Sequence, residues 1–370
     1  MFLESSEKGP GGSGSGPLKI GVLTFHRCVN YGSYWQARCL VEGLRSRGHD
    51  AVLLDYVCAQ TNKTEWRCAM QPLLPRRSPR EAIRLYARKA RAFEAAVDAL
   101  PVSDRFPLAE PELMQDCDVV VIGSDEVWNL SHPWFGGNPL FWGHGLRAPR
   151  LISYAASFGN YDADAGIDSF WSSQLRNFHR ISVRDDNSRR LVQAALDLEP
   201  VMVLDPVLQF PPELDESSGW SERAPYAVLY GHSFSNDFAH AIRAWADRRG
   251  LPLVSLGYVN EWADEQCIDA DPIAFAHAMS QAQSVVTNFF HGCVFALVND
   301  KPFACEVSAY RMNKVRDLTT ALSAEHHLLR GDDEPERFAQ VLDQPLAPKV
   351  AGAIERLRRQ SESYLQLVAV

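Results

Sequence analysis

The sequence lacks any long hydrophobic run: no stretch approaches the roughly 18 apolar residues that a membrane-spanning helix needs, which excludes an integral helical membrane protein. Its eight cysteines (Cys28, Cys39, Cys58, Cys68, Cys117, Cys267, Cys293 and Cys305) form no CxxC pair and no regular spacing. Neither a zinc site nor a disulfide framework is therefore expected, and the thiols read as reduced, small core residues. G-x-G-x-x-G, Walker A, G-x-S-x-G and H-E-x-x-H are all missing, which withdraws support from nucleotide-phosphate loops, hydrolase elbows and zincin metals. Positive charge is also in short supply. Lys and Arg number 37 against 46 Asp and Glu, a net charge of -9 that argues against broad nucleic-acid or anionic-membrane binding, either of which usually shows a concentrated basic face. The one basic cluster, RRSPREAIRLYARKARAF (76–93), reads as a helix that either meets lipid headgroups or an anionic partner, or is a solvated face with arginine stems over apolar neighbours.

What is there is ample. At 370 residues the chain exceeds the size at which one core keeps growing, so two domains are expected, and 46% hydrophobic with 22% charged residues suits a globular protein. The first 17 residues carry neither the basic nor the apolar region of a signal peptide and read as a flexible leader, leaving the cytoplasm as the expected location. LKIGVLTFH, the helical YWQARCLVEGLRSRG and HDAVLLDY form a βαβ unit. CDVVVIGSDEVWN, RLISYAASFG, RISVRDDNSRRLVQAAL and PVMVLDPVLQF continue the series, and such near-continuous apolar strands suit a parallel sheet covered on both faces. QFPPELDESSGWSERAP (209–225) reads as a linker between an N-terminal unit over 18–208 and a second α/β unit over 226–345. An amphipathic helix over 346–370 closes the chain. Two Rossmann-like units joined in this way place the carboxyl ends of both sheets across a cleft.

Polar clusters fall at these strand ends. Asn30, Tyr31, Gly32 and Ser33 open the first helix, where free amides suit an anion, and Gln36 lies one turn further on; a plain capped loop is the alternative. Ser124 and Asp125, followed by Trp128 and Asn129, put a carboxylate at a strand mouth, able to accept a sugar hydroxyl, move a proton or simply cap a helix. Arg184 ends ISVR, where its planar fork suits phosphate or carboxylate, or else a salt bridge to Asp185, Asp186 or Asp205. His291 follows Asn288 and is backed by Gly292, a placement that suits proton transfer. Lys301 is either a further cation or an ordinary helix stop.

Taken together, KIGVLTFHRCVNYGSYWQA, VVIGSDEVWN, LISYAASFG, ISVRDDNS, VLDPVLQF and TNFFHGCVFALVNDKPF resemble the polysaccharide pyruvyl transferase family in type and order. The resemblance implies a GT-B-like α/β fold of two Rossmann-like domains facing a central cleft. It also implies transfer of pyruvate from phosphoenolpyruvate onto two hydroxyls of a hexose as a cyclic ketal, with no further cofactor and no metal. The N-terminal domain would take the acceptor (Asn30, Tyr31, Gly32, Ser33, Gln36, Ser124, Trp128, Asn129), a sugar of a cell-surface precursor that is free, nucleotide-linked or lipid-linked. Donor-binding candidates are Arg184, Asn288, Gly292, Lys301 and Arg311, with Lys314 as an alternative cation, and His291, Asp125 and Arg184 are the catalytic candidates. Many members carry an arginine two residues before the histidine, where this chain has Phe289, so a nucleotide-sugar glycosyltransferase and a silent carbohydrate-binding subunit stand as alternatives. The loop SHPWFGGNPLFWGHG (131–145) suits either stacking on a sugar or core packing.

Overall fold

The computed structural model describes residues 16–215, 219–307 and 312–367. In the N-terminal unit the chain runs β1 (Lys19–Leu23), α1 (Tyr31–Arg45), β2 (Asp50–Leu53), β3 (Tyr56–Val57), α2 (Ala59–Met70), α3 (Arg80–Asp98), β4 (Phe106–Pro107) and β5 (Val119–Ile122). It continues through β6 (Arg150–Ser153), α4 (Ser169–Leu175), β7 (Ser182–Val183), α5 (Asp186–Leu196), β8 (Val201–Met202) and the single turn α6 (Pro206–Gln209). The central sheet has the order β2-β1-β5-β6, all parallel, and bridges at Ile152↔Arg180 and Ala156↔Val183 carry it on to the β7-β8 pair. Each central strand is apolar on both faces because helices cover both, as the unbroken burial of Val119–Ile122 reflects.

The C-terminal unit comprises β9 (Ala227–Tyr230), α7 (Asn236–Arg249), β10 (Leu253–Leu256), β11 (Glu265–Cys267), α8 (Pro272–Gln281), β12 (Ser284–Thr287) and α9 (Phe290–Val298). It is completed by β13 (Phe303–Glu306), α10 (Met312–Ala321), β14 (Leu328–Leu329) and α11 (Pro335–Asp343). Its six parallel strands take the order β11-β10-β9-β12-β13-β14, the doubly wound order in which the chain reverses direction between the first and fourth strands. The last helix, α12 (Pro348–Gln366), returns to the N-terminal unit. There Ser361 Oγ accepts from the Leu204 amide at 2.9 Å and the Tyr364 hydroxyl donates to the Ser153 carbonyl at 2.7 Å. The architecture is GT-B-like: two Rossmann-like sheets presenting their carboxyl ends to one cleft, with a terminal helix crossing back.

The two units meet through an apolar seam rather than through solvent. Tyr31 stacks on Phe275 with ring centroids 4.1 Å apart, its hydroxyl donates to the Ala270 carbonyl at 2.6 Å, and Trp35 Nε1 donates to the Pro272 carbonyl at 2.9 Å. Lys89 of α3 is buried in this seam, with its ammonium 4.7 Å from the Tyr31 ring centre and 4.5 Å from that of Tyr258, and it donates to the Gly257 carbonyl at 3.0 Å. Burial pushes the Lys89 ammonium down to about 7. The unfolded chain therefore binds more protons than the folded one from about pH 7 to about pH 10, so this group's contribution to stability rises with pH across that window and is constant below it. Lys89→Met should accordingly raise the melting temperature at neutral pH, by about 1–2 kcal/mol of stability. The advantage over the parent should shrink towards pH 10. A variant no more stable than its parent at pH 7 would show that the rings and the carbonyl already compensate the buried charge.

Candidate active site

Asn30 precedes α1 in an extended conformation, and its side chain accepts from the Gly32 and Ser33 amides at 2.8 and 3.2 Å, so the helix opens with its amide face towards the cleft. Gly32 then decides what can lie beside it. A Cβ there would stand 2.0 Å from Nδ1 of His291, a residue of the other domain, so only glycine lets that imidazole reach the α1 terminus. Across the N-terminal sheet, β5 delivers Asp125, whose φ of 73° is left-handed, an uncommon setting for a residue with a side chain. One Asp125 oxygen accepts from the Ser33 hydroxyl at 2.7 Å, and the other from the Glu126 amide at 2.9 Å.

Arg184, at the end of β7, joins the parts. Its Nη1 donates to Asp205 Oδ2 at 2.9 Å, its Nη2 lies 3.5 Å from Asp125 Oδ1, and its guanidinium lies 4.6 Å from the centre of the Phe290 ring. The same Asp205 oxygen stands 3.4 Å from His291 Nε2. Ser33, Asp125, Arg184, Asp205 and His291 thus form one polar chain that begins in the N-terminal domain and ends in the C-terminal one. Next to it Lys314 of α10 pairs with Glu126, again across the domains, and Asn129 Nδ2 donates to Glu126 at 2.8 Å.

Burial alone would raise these carboxyls, but the partners win. His291 and Arg184 hold Asp205 below the ordinary carboxylate range, and Lys314, Asn129 and Arg184 hold Glu126 down to about 2. Arg184 is kept protonated in spite of burial by Asp205 and Asp125. The cleft these groups line measures about 270 Å³. Its further walls are Tyr230, Phe289 and Phe290 from the C-terminal domain and His132, Trp134 and Asn160 from the N-terminal one. Burial lowers His132, whose Nδ1 accepts from the Phe135 amide at 3.2 Å and so ties its own loop. Among the described residues no three His, Cys, Asp or Glu side chains come together as metal ligands.

The structure brings His291, Asp125, Arg184, Asn30, Ser33 and Asn129 to this cleft, along with Lys314. Gln36 and Ser124 lie one layer beneath: the Ser124 hydroxyl donates to Gln36 Oε1 at 2.9 Å, and Gln36 Nε2 donates to the Ser33 carbonyl at 2.8 Å, so both support the loops instead of touching a ligand. Several expectations are corrected. Tyr31 is spent on the domain seam, and Trp128 is fully buried, donating to the Phe141 carbonyl at 2.9 Å. Asn288 donates to the His232 carbonyl at 2.8 Å and packs beside Gly231. Gly292 opens no space for a ligand: a Cβ there would meet Thr287 Oγ1 at 1.9 Å, so it serves the packing of α9 on β12. Lys301 lies just before β13, at the amino end of a parallel strand and hence at the opposite edge of the sheet from the cleft. Arg311 lies outside the described residues. In the loop 131–145 Phe135, Phe141 and Trp142 are core, with Phe135 stacked on Phe25 at 4.2 Å, while Trp134, in the segment 132–134, reaches the cleft. Asp205 and Glu126 were not singled out as site residues. Asp205, in VLDP at a strand end, carries the further signal of a possible partner for Arg184, and Glu126 only its place directly after Asp125.

The family model for polysaccharide pyruvyl transferase matches residues 30–307, three quarters of the chain. The chain belongs to that family. No curated protein matches it. Among solved structures the transferase is similar to the ADP-heptose lipopolysaccharide heptosyltransferase II of E. coli (14% identity, 93% of this chain and 99% of that one, TM-score 0.38). It is also similar to the MnaA–UDP co-structure from S. aureus (13%, 94% and 96%, TM-score 0.47) and to UDP-GlcNAc 2-epimerase from Neisseria meningitidis (8%, 93% and 99%, TM-score 0.49).

Gly32→Ala isolates the contact between α1 and His291. Alanine favours the helix by about 1 kcal/mol in an open position, but here the methyl must displace the imidazole. The transferase should therefore stay folded while losing on the order of a hundredfold in turnover. Wild-type turnover in the alanine variant would mean that His291 need not sit where it does.

Proposed function

We propose that this transferase moves the pyruvyl group of phosphoenolpyruvate onto two hydroxyls of a hexose, forming a cyclic ketal and releasing phosphate. The observation that carries the reading is the meeting, in one cleft of a member of this family, of both topological switch points. The N-terminal sheet reverses between β1 and β5 and offers Asn30, Ser33 and Asp125; the C-terminal sheet reverses between β9 and β12 and offers Tyr230 and His291. Ligands of open α/β sheets are held at such points.

The chemistry follows from the groups present. His291, as the acid, delivers a proton to the methylene carbon, leaving the central carbon electrophilic. The first sugar hydroxyl adds there and gives its proton to Asp125. The carbon–oxygen bond to phosphate then breaks, and the second hydroxyl closes the ring. Of the two hydroxyl protons one ends on the new methyl group and the other leaves with phosphate, so no oxidant or cofactor enters. Arg184 and Lys314 face the anionic donor, while the carboxylates and Asn129 suit the neutral hydroxyls of the acceptor. The acceptor is proposed as a hexose of a cell-surface or exopolysaccharide precursor, carried on a lipid. Because the donor is an intracellular metabolite, the proposed place of action is the cytoplasm at the inner face of the membrane. A nucleotide-sugar donor is the second reading, favoured by Phe289 where many relatives have arginine. That ring lies 5.0 Å from Tyr230, 5.3 Å from Tyr258 and 5.3 Å from His232, an aromatic cluster suited to a base or sugar face.

The charge balance makes this testable. Among the described residues the polar chain and its neighbour pair set Asp125, Glu126 and Asp205 against Arg184 and Lys314, so the two cations that would receive an anionic donor already sit against carboxylates. Phosphoenolpyruvate should bind saturably in calorimetry, with affinity falling as ionic strength rises. His291→Ala should keep the fold and lose turnover by about 100-fold or more. Lys314→Ala should weaken donor binding. Arg184→Ala is a poor control, since it strands two buried carboxylates. Binding of a nucleotide-sugar with silence towards phosphoenolpyruvate would hand the site to the second reading.

A further inference from the structure

The basic segment that the chemistry leaves unused has a definite shape. Arg80, Arg84, Arg88 and Arg91 recur on α3 at steps of four, four and three, which places them on one helical face, and all four are exposed. The opposite face, with Ala82, Tyr86, Ala90, Phe93 and Val97, is buried. Arg76 and Arg77 extend the stripe forwards, and Leu74 just ahead of them is 49% exposed. Between residues 76 and 93 only Glu81 opposes six exposed arginines, in a chain whose net charge is -9.

Two ordinary explanations fall short. The stripe does not serve its own helix, because it crowds towards the positive end of the helix dipole and leaves no basic residue in the last turn. Nor is it consumed by ion pairs. Arg76 meets Glu261 at 2.6 Å and Arg88 meets Asp269 at 3.2 Å, yet their side chains stay 68% and 61% exposed, and such pairs stabilise little.

The stripe also has a useful address. Leu73, Arg76 and Pro79 form one wall of a groove of about 420 Å³ whose other wall is Phe234, Asn260 and Trp262 of the C-terminal domain. Asn260 Nδ2 donates to the Gly231 carbonyl at 3.0 Å, next to Tyr230 of the cleft. The groove therefore neighbours the reacting centre and opens beside the arginines.

We propose that α3 and the turn before it dock on an anionic lipid bilayer, with the arginine stripe over the headgroups and Leu74 in the interfacial layer, so that a lipid-carried acceptor is met at the rim of the cleft. This deepens the acceptor reading above, but vesicle binding depends neither on the donor nor on turnover. The test is flotation of the full chain with vesicles of phosphatidylcholine alone and of phosphatidylcholine mixed with phosphatidylglycerol. Binding is expected only to the mixed vesicles and should fall as salt rises. Each arginine near such a surface is worth about fivefold in partitioning, so Arg80→Gln, Arg84→Gln, Arg88→Gln and Arg91→Gln combined should lower it by about a hundredfold or more. The corresponding four lysine substitutions should retain binding, and Leu74→Asp should weaken it with the arginines intact. No binding to the mixed vesicles, or undiminished binding by the glutamine variant, overturns the proposal. So does retention on heparin without vesicle binding, which would name another polyanion. Calorimetry with phosphoenolpyruvate on the same preparations separates the two readings: if donor binding is lacking throughout while vesicle binding persists, only the pyruvyl-transfer assignment falls.

Discussion

One oxygen of Asp205 is the point on which the site turns. It accepts from Arg184 at 2.9 Å and stands 3.4 Å from His291, so a carboxylate of the N-terminal domain fixes the arginine beside it and meets the histidine from across the cleft. A buried carboxylate without partners would be protonated or would unfold the region; with two it stays ionised. Around it the remaining charges come in order. Arg184 reaches on to Asp125, Asp125 holds Ser33, and the loops of both domains are tied into a single electrostatic unit. Sequence makes this possible at low cost in backbone strain, since Pro206 follows Asp205 and Pro at the first helical position leaves the Asp205 side chain free to cap the Val207 amide at 3.1 Å.

Much of the fold could be read from the chain because buried parallel strands announce themselves. VVVI, SVVT and AVLY are buried on both faces and largely apolar, and each is followed by a polar cluster at its carboxyl end. The site was legible where a residue's role follows from that position, as for Asp125 and His291. It was illegible where the role depends on what another element brings. Gly32 read as part of a helix opening suited to an anion, and its packing reason, the His291 ring of the other domain, is 259 positions away in sequence. Trp128 and the aromatics of 131–145 have the composition of a sugar platform and of a core alike, and only packing decides between them. Lys301 misled because a lysine after a helix carries no sign of which edge of the sheet it will occupy. Asp205 read only as a possible partner for Arg184, since nothing in VLDP signals the histidine that approaches it.

The aromatic seam and the polar chain divide the labour of holding the domains together. Tyr31 on Phe275 and Trp35 near Phe295 supply area without direction, whereas Lys314 to Glu126 and His291 to Asp205 supply direction at modest net energy. Lys89 lies within the seam, its amine between two rings and the Gly257 carbonyl. The apolar part fixes that the halves meet, and the ionic part fixes the register in which they do.

The return of α12 to the first domain has a mechanical consequence. The chain crosses between the halves twice, once after α6 and once before α12, so they are joined as a door is by two hinge pins. Any change in how the halves sit has to pass through both crossings at once and against the aromatic seam and the ion pairs.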